Sequence, residues 1–153
     1  MNLKGEVFKS RTLLLLAENP GLAGQLEQAL AIYQLNHNLR SFKDLTDYQN
    51  HMLLRQASLE TEVDDLLLLA YPHDVERTNL LLKDIRNTPR WRLVPVVVFL
   101  DNRQMEAAKL SYHYGANSVL PFPLGFEAIR NIVNIMDHYW FNVVSLPSDI
   151  NDD

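Results

Sequence analysis

Three carboxylates stand where an α/β protein would use them. Glu18 follows the apolar run Leu13-Leu14-Leu15-Leu16-Ala17, Asp74 lies a short turn beyond Leu66-Leu67-Leu68-Leu69-Ala70, and Asp101 directly follows Val96-Val97-Val98-Phe99-Leu100. If each run is a strand, the three acids lie at the carboxyl edge of one sheet, where three hard oxygen ligands could hold Mg²⁺. Asp74 and Asp101 stand equally well where helix N-caps are expected, a role that explains them without a metal. The other reactive residue types form no constellation. His37, His51, His73, His113 and His138 lack metal-ligand spacing and read as surface or helix-end residues. There is no Gly-x-Ser-x-Gly elbow, and Gly21 and Gly24 do not complete a dinucleotide-binding pattern. The absence of cysteine removes thiolate nucleophiles, thiolate metal sites and disulfides, and suits a reducing cytoplasm. The remaining local charge features are Lys43-Asp44 and the Arg86…Arg90-Trp91-Arg92 cluster, the second of which reads as a solvated loop.

The elements that must position these residues follow from periodicity. Four leucines between Asp64-Asp65 and Tyr71-Pro72 leave no polar alternation, so residues 65 to 70 read as a strand buried on both faces, at the centre of a parallel sheet. Such a sheet keeps its chemistry at the carboxyl ends of its strands, and the central one ends in a methyl group, Ala70. Thr12 to Ala17 is a second strand of the same kind. Asn19-Pro20 opens a helix with Leu22, Leu26, Ala29, Leu30 and Tyr33 at helical spacing, ending near Leu35. Leu39 to Phe42 is a short edge strand, and Asp44 caps a helix running to about Ala57. Leu80, Leu81, Leu82 and Ile85 mark a third helix, stopped by Asn87-Thr88-Pro89. After the β-branched strand Pro95 to Leu100, a helix capped by Asp101 or Asn102 carries Met105, Ala108 and Tyr112 and closes on Gly115. Ser118 to Leu120 is the fifth strand, and Phe126, Ile129, Ile132, Val133, Met136 and Trp140 line the last helix. Five strands alternating with five helices imply a doubly wound parallel sheet.

The bulk properties agree with one globular domain, from about residue 11 to 147, between a polar leader (1–10) and an acidic tail (148–153). The chain has 153 residues, 47% of them hydrophobic, and a formal charge of −5, which argues against a nucleic-acid surface. No stretch reads as a membrane span. Lys4, Lys9 and Arg11 ahead of the leucine run mimic a secretory leader, but the run is short and Glu18-Asn19-Pro20 ends it without a cleavage pattern.

Over nearly its whole length the chain resembles the CheY-like receiver domain of two-component response regulators. The closer likeness is to the small stand-alone regulators that partner cyanobacterial phytochromes and related histidine kinases. Glu18-Asn19-Pro20, Ile85 through Pro95-Val96-Val97-Val98, Gly115-Ala116-Asn117-Ser118, Pro123 with Phe126-Glu127-Ala128, and Tyr139-Trp140 with Leu146-Pro147 carry the resemblance. It implies a flavodoxin-like strand order 2-1-3-4-5 with strands one and three at the topological switch point. In this family an aspartate ending strand three accepts phosphate and two acids after strand one hold Mg²⁺. A Thr or Ser ending strand four bonds the phosphoryl group, and a Lys before a proline after strand five neutralises it.

Carried over residue by residue, the acceptor position falls on Ala70, the acidic pair on Ala17 and Glu18, the Thr or Ser on Leu100 and the Lys on Phe122. A shift of one residue would put Leu69 at the acceptor, with the same outcome. The resemblance therefore implies a degenerate receiver: no enzyme, no cofactor or metal, and a pocket in which Ala17, Ala70, Leu100 and Phe122 converge as hydrocarbon. It would act in the cytoplasm as an interaction module, with a protein partner such as a histidine kinase or phytochrome-like sensor. No effector domain is read after residue 147, so output would pass through a bound protein. The alternative is an active phosphoacceptor or a small metal-dependent phosphotransfer protein using Glu18 with Asp74 or Asp101. The matching Lys-Pro bond in receivers is typically cis, so Phe122-Pro123 is expected to be cis, with the ring filling the vacated pocket. Ile135, Tyr139, Trp140 and Phe141 are apolar residues beyond what one core-facing stripe requires, followed by Val143-Val144, and point to a homodimer on the last helix.

Overall fold

The computed structural model describes residues 10–54, 64–141 and 146–147. The leader up to residue 9, the acidic tail, the continuation of the second helix toward Ala57 and Val143-Val144 lie outside the described residues. Five parallel strands, β1 (Thr12–Ala17), β2 (Asn38–Phe42), β3 (Leu66–Ala70), β4 (Val96–Leu100) and β5 (Ser118–Pro121), form one sheet in the order β2-β1-β3-β4-β5. The helices are α1 (Gly21–Ile32), α2 (Leu45–Leu54), α3 (Val75–Arg86), α4 (Ala108–His113) and α5 (Phe126–Met136), as the alternation of elements implies.

Every residue of β3 and β4 is buried, and so is all of β1 after Thr12, which is why their sequences show no alternation. The pleat sorts those side chains into two layers. Leu13, Leu15, Ala17, Leu66, Leu68, Ala70, Val97 and Phe99 pack with Leu22, Leu26 and Leu30 of α1 and Ile129, Val133 and Met136 of α5. Leu14, Leu16, Leu67, Leu69, Val96, Val98 and Leu100 pack with Tyr48 and Met52 of α2 and Leu81, Leu82 and Ile85 of α3. β2, an edge strand, is only half-buried. At the other edge, the Tyr112 hydroxyl accepts the Val119 N–H at 3.1 Å, so β5 does not offer that donor to another strand.

Three local expectations are revised. The segment after β4 is not one helix: Asn102–Ala107 is a 3₁₀ stretch that leads into the short α4, and Tyr112 is 48% exposed rather than core-facing. The last helix passes into a π-helical turn, Asp137–Phe141. The Arg86–Arg92 segment is not a solvated loop. Trp91 is buried, and the Arg86 guanidinium donates to the carbonyls of Gly115, Trp91, Arg92 and Val94 and to Asn117 Oδ1. Asn117 Oδ1 also accepts the Val96 N–H at 2.8 Å, so Gly115-Ala116-Asn117-Ser118 is a structural junction between α3, β4 and β5.

Candidate functional site

The carboxyl edge of the sheet brings together the ends of β1, β3, β4 and β5. Ala17 and Ala70 are register partners, Ala70 pairs in turn with Phe99, and Leu100 pairs with Pro121. Register partners in a parallel sheet project to the same face and successive residues to opposite faces. Ala17, Ala70 and Phe99 therefore share the α1/α5 layer, and Phe122 and Phe126 pack against it. Leu100, one residue beyond Phe99, packs in the other layer with Leu16, Leu69 and Tyr71. The expected convergence of all four apolar side chains is thus corrected: two methyls and the Phe122 ring lie on one side of the sheet and Leu100 on the other.

The floor of this edge is closed to water. Ala17 is 4% and Ala70 2% exposed, and the Glu18 N–H donates to the Ala70 carbonyl at 3.2 Å. Glu18 itself is exposed. Asp74 and Asp101 behave as caps. Asp74 accepts the Arg77 N–H at 3.0 Å and opens α3, while Asp101 accepts the Arg103 N–H at 2.9 Å and Arg103 Nε at 3.1 Å. Those hydrogen bonds and the nearby guanidinium lower the Asp101 pKa from its ordinary carboxylate value. The Asp101 N–H is tied to the Pro72 carbonyl at 3.0 Å, and His73 Nδ1 stands 3.7 Å from Asp101 Oδ2. Among the described residues no three His, Asp or Glu side chains gather in a metal-binding arrangement.

The Phe122–Pro123 bond is trans, against the cis expectation. The trans preference of an X–Pro bond is only about 0.5–1 kcal/mol, so the local turn decides it. Here the Phe122 N–H prolongs the β4–β5 pairing by donating to the Leu100 carbonyl at 2.7 Å. The chain then reverses three residues later at Gly125, whose φ of +89° glycine adopts without strain.

Several polar residues that sequence reading passed over hold the other end of the sheet. The Asp64 carboxylate, fully buried, accepts from Arg40 Nη2 at 2.5 Å, Arg90 Nη2 at 3.3 Å and Trp91 Nε1 at 2.8 Å. Asp65 accepts the Thr12 N–H at 2.9 Å. The acidic pair before β3 is therefore structural. His37 is not a surface residue either. Its side chain is 7% exposed, Nδ1 accepts the Arg11 N–H at 3.0 Å and Nε2 lies 3.1 Å from Asp137 Oδ1. At the carboxyl edge itself, Tyr71 is buried directly after Ala70, its hydroxyl donating to the Lys43 carbonyl at 2.7 Å and the Arg77 guanidinium lying 4.0 Å over its ring. Burial pushes its pKa up to about 12. The signal for these networks in the sequence is slight, a charged residue beside an apolar run.

Of the apolar residues expected on the last helix, Ile135 and Tyr139 are exposed and Trp140 is half-buried, while the Phe141 side chain lies outside the described residues. With Phe122, Leu124 and Ile132 they line a groove of about 450 Å³ between β5 and α5.

Solved structures that share this architecture include response regulators and receiver domains. The phosphorylated cyanobacterial phytochrome response regulator RcpA superposes with a TM-score of 0.73 at 20% identity, over 91% of this chain and 99% of that one. The Mn²⁺-bound form of response regulator Rcp1 gives 0.68 at 20% identity, over 90% and 99%. A receiver domain from Rhodospirillum rubrum gives 0.67 at 22%, over 89% and 96%. The chain has the receiver fold. No protein-family model matches the sequence, and no curated protein matches it. No helix among the described residues is long and apolar enough to cross a membrane.

Proposed function

We propose that the chain is an interaction module of two-component signalling that keeps the receiver fold without aspartyl phosphorylation. It is not an enzyme, works in the cytoplasm, and has a protein partner of the histidine kinase or phytochrome-sensor kind. One observation carries the reading. The central strand of the sheet ends in Ala70, buried between its register partners Ala17 and Phe99, where receivers place the acceptor aspartate. Phosphoryl transfer needs an acceptor oxygen, a metal and positioned positive charge. This edge offers a methyl group, two hydrocarbon neighbours and the Phe122 ring. Glu18 remains, but Asp74 and Asp101, the acids that would have to join it, each cap a helical segment.

RcpA is described as phosphorylated and Rcp1 as Mn²⁺-bound, which makes the comparison direct. Incubation with Mg²⁺ and acetyl phosphate followed by intact-mass analysis is expected to leave the mass unchanged. A hydrolysable phosphoryl adduct on an aspartate would establish the rival, a phosphoacceptor or metal-dependent phosphotransfer protein. The same proposal includes a homodimer through the β5/α5 groove, because Leu124 at 85%, Ile135 at 61% and Tyr139 at 49% exposure leave a contiguous apolar face in water. Light scattering after gel filtration should give a dimer mass, reduced to that of a monomer by Ile135→Lys with Tyr139→Lys. A monomer mass for the unmodified chain at tens of micromolar removes the dimer.

A further inference from the structure

We infer that the trough between α2 and α3 is a docking groove for a basic amphipathic peptide segment of a partner protein. The inference rests on reading the chain as an interaction module, and it names a surface and a partner chemistry for that role. The trough has a volume of about 690 Å³ and lies on the opposite side of the sheet from α1 and α5. Its walls are Leu45 and Gln49 of α2 and the face of α3 that carries Arg77, Leu80, Leu81 and Asp84. Along α3, from Glu76 to Asn87, it runs about 16 Å, the length of roughly three helical turns.

Two properties select the occupant. The first is an apolar centre: Leu80, 59% exposed, stands in the trough with Leu45 and Leu81 behind it. The second is charge. Asp44, Asp74, Glu76 and Asp84 line the trough, and none of them forms a salt bridge among the described residues. Asp44 and Asp74 each spend one oxygen on a helix cap, accepting the Asp47 and Arg77 N–H groups, and keep a second oxygen for a ligand. Among the described residues the trough has one cation, Arg77, and it is held over the Tyr71 ring. Four carboxylates against one arginine leave a formal charge of −3 around an exposed leucine. That pattern is complementary to a segment that places an apolar side chain against Leu80 and lysine or arginine toward the rim.

The test is a fluorescence-anisotropy titration of the full chain with a labelled three-turn peptide of leucine and lysine in helical period. The same peptide with glutamate for lysine is the control. Saturable binding of the basic peptide alone is expected, weakened by added salt. Glu76→Lys with Asp84→Lys should weaken it tenfold or more and Leu80→Gln several-fold. Glu27→Lys, on exposed α1 across the sheet, should leave it unchanged. Circular dichroism of each variant separates lost binding from lost fold. No saturable binding, equal binding of the two peptides, or an equal loss in the Glu27→Lys protein would overturn the assignment. A phosphoryl adduct in the acetyl phosphate experiment would leave this titration untouched, and a failed titration would leave the unphosphorylated reading standing.

Discussion

Replacing Arg86 by methionine should cost about 3–4 kcal/mol, although Arg86 touches neither the carboxyl edge nor either groove. The figure follows from counting what the guanidinium holds. Nη1 donates to the carbonyls of Trp91, Arg92 and Val94 at 3.1, 3.0 and 2.7 Å, and Nε and Nη2 to that of Gly115 at 3.0 and 2.6 Å. Nη2 also donates to Asn117 Oδ1 at 2.8 Å. Three of these bonds share one nitrogen and two share one acceptor, so about three act independently, and bonds to a charged group contribute roughly 1.5–3 kcal/mol each. Burial opposes the charge and lowers the Arg86 pKa, and this desolvation penalty brings the net cost below that sum, to about 3–4 kcal/mol. Urea unfolding followed by circular dichroism should show the loss, and in a domain of this size the melting temperature should fall by about 6–16 °C. Arg86→Lys should recover a minority of it, since an ammonium cannot reproduce the planar fork. A double-mutant cycle with Asn117→Ala should show coupling of about 1 kcal/mol or more. An Arg86→Met protein within about 1 kcal/mol of the parent, or additive behaviour in the cycle, would refute the reasoning.

Other consequences can be checked on the same protein. Asp64→Ala removes the shared carboxylate of Arg40, Arg90 and Trp91 and should destabilise by about 3–5 kcal/mol in the same unfolding assay. Tyr71, raised to about 12 by burial, should be a late-ionising tyrosine in an alkaline absorbance titration, and Tyr71→Phe should remove that step. Its folded-state pKa lies above the ordinary value near 10, so its contribution to stability is complete below about pH 10 and is lost as pH rises toward about 12. Ala70→Asp should gain no phosphoryl group from acetyl phosphate by intact mass, because the new carboxyl would sit between Ala17 and Phe99, where burial raises its pKa.

The unbroken leucine and valine runs determined the strands by themselves, because a strand buried on both faces needs no partner to be recognised, only an absence of alternation. The same runs gave the carboxyl ends, so the identity of Ala70 at the head of the central strand was legible from the chain alone. The helix caps at Asp74 and Asp101 were legible too, since a cap acts within three residues of itself. The tertiary structure decided whatever depended on which face or which distant partner a side chain meets. Leu100 belongs to the opposite layer from Ala70 because register and pleat, which no single strand encodes, set its direction. Arg86 reaches Gly115 across 29 residues and Asp64 reaches Trp91 across 27, so their burial could not be read from local charge patterns. The Phe122–Pro123 bond keeps the trans isomer that X–Pro bonds favour by about 0.5–1 kcal/mol, a margin small enough that the turn around it, not the dipeptide, had to decide. Leu80, Leu81 and Leu82 are consecutive leucines of one helix, yet Leu80 is 59% exposed while Leu81 is 8% and Leu82 0%, because successive helical positions point in different directions and only the packed neighbours decide which of those directions meets water.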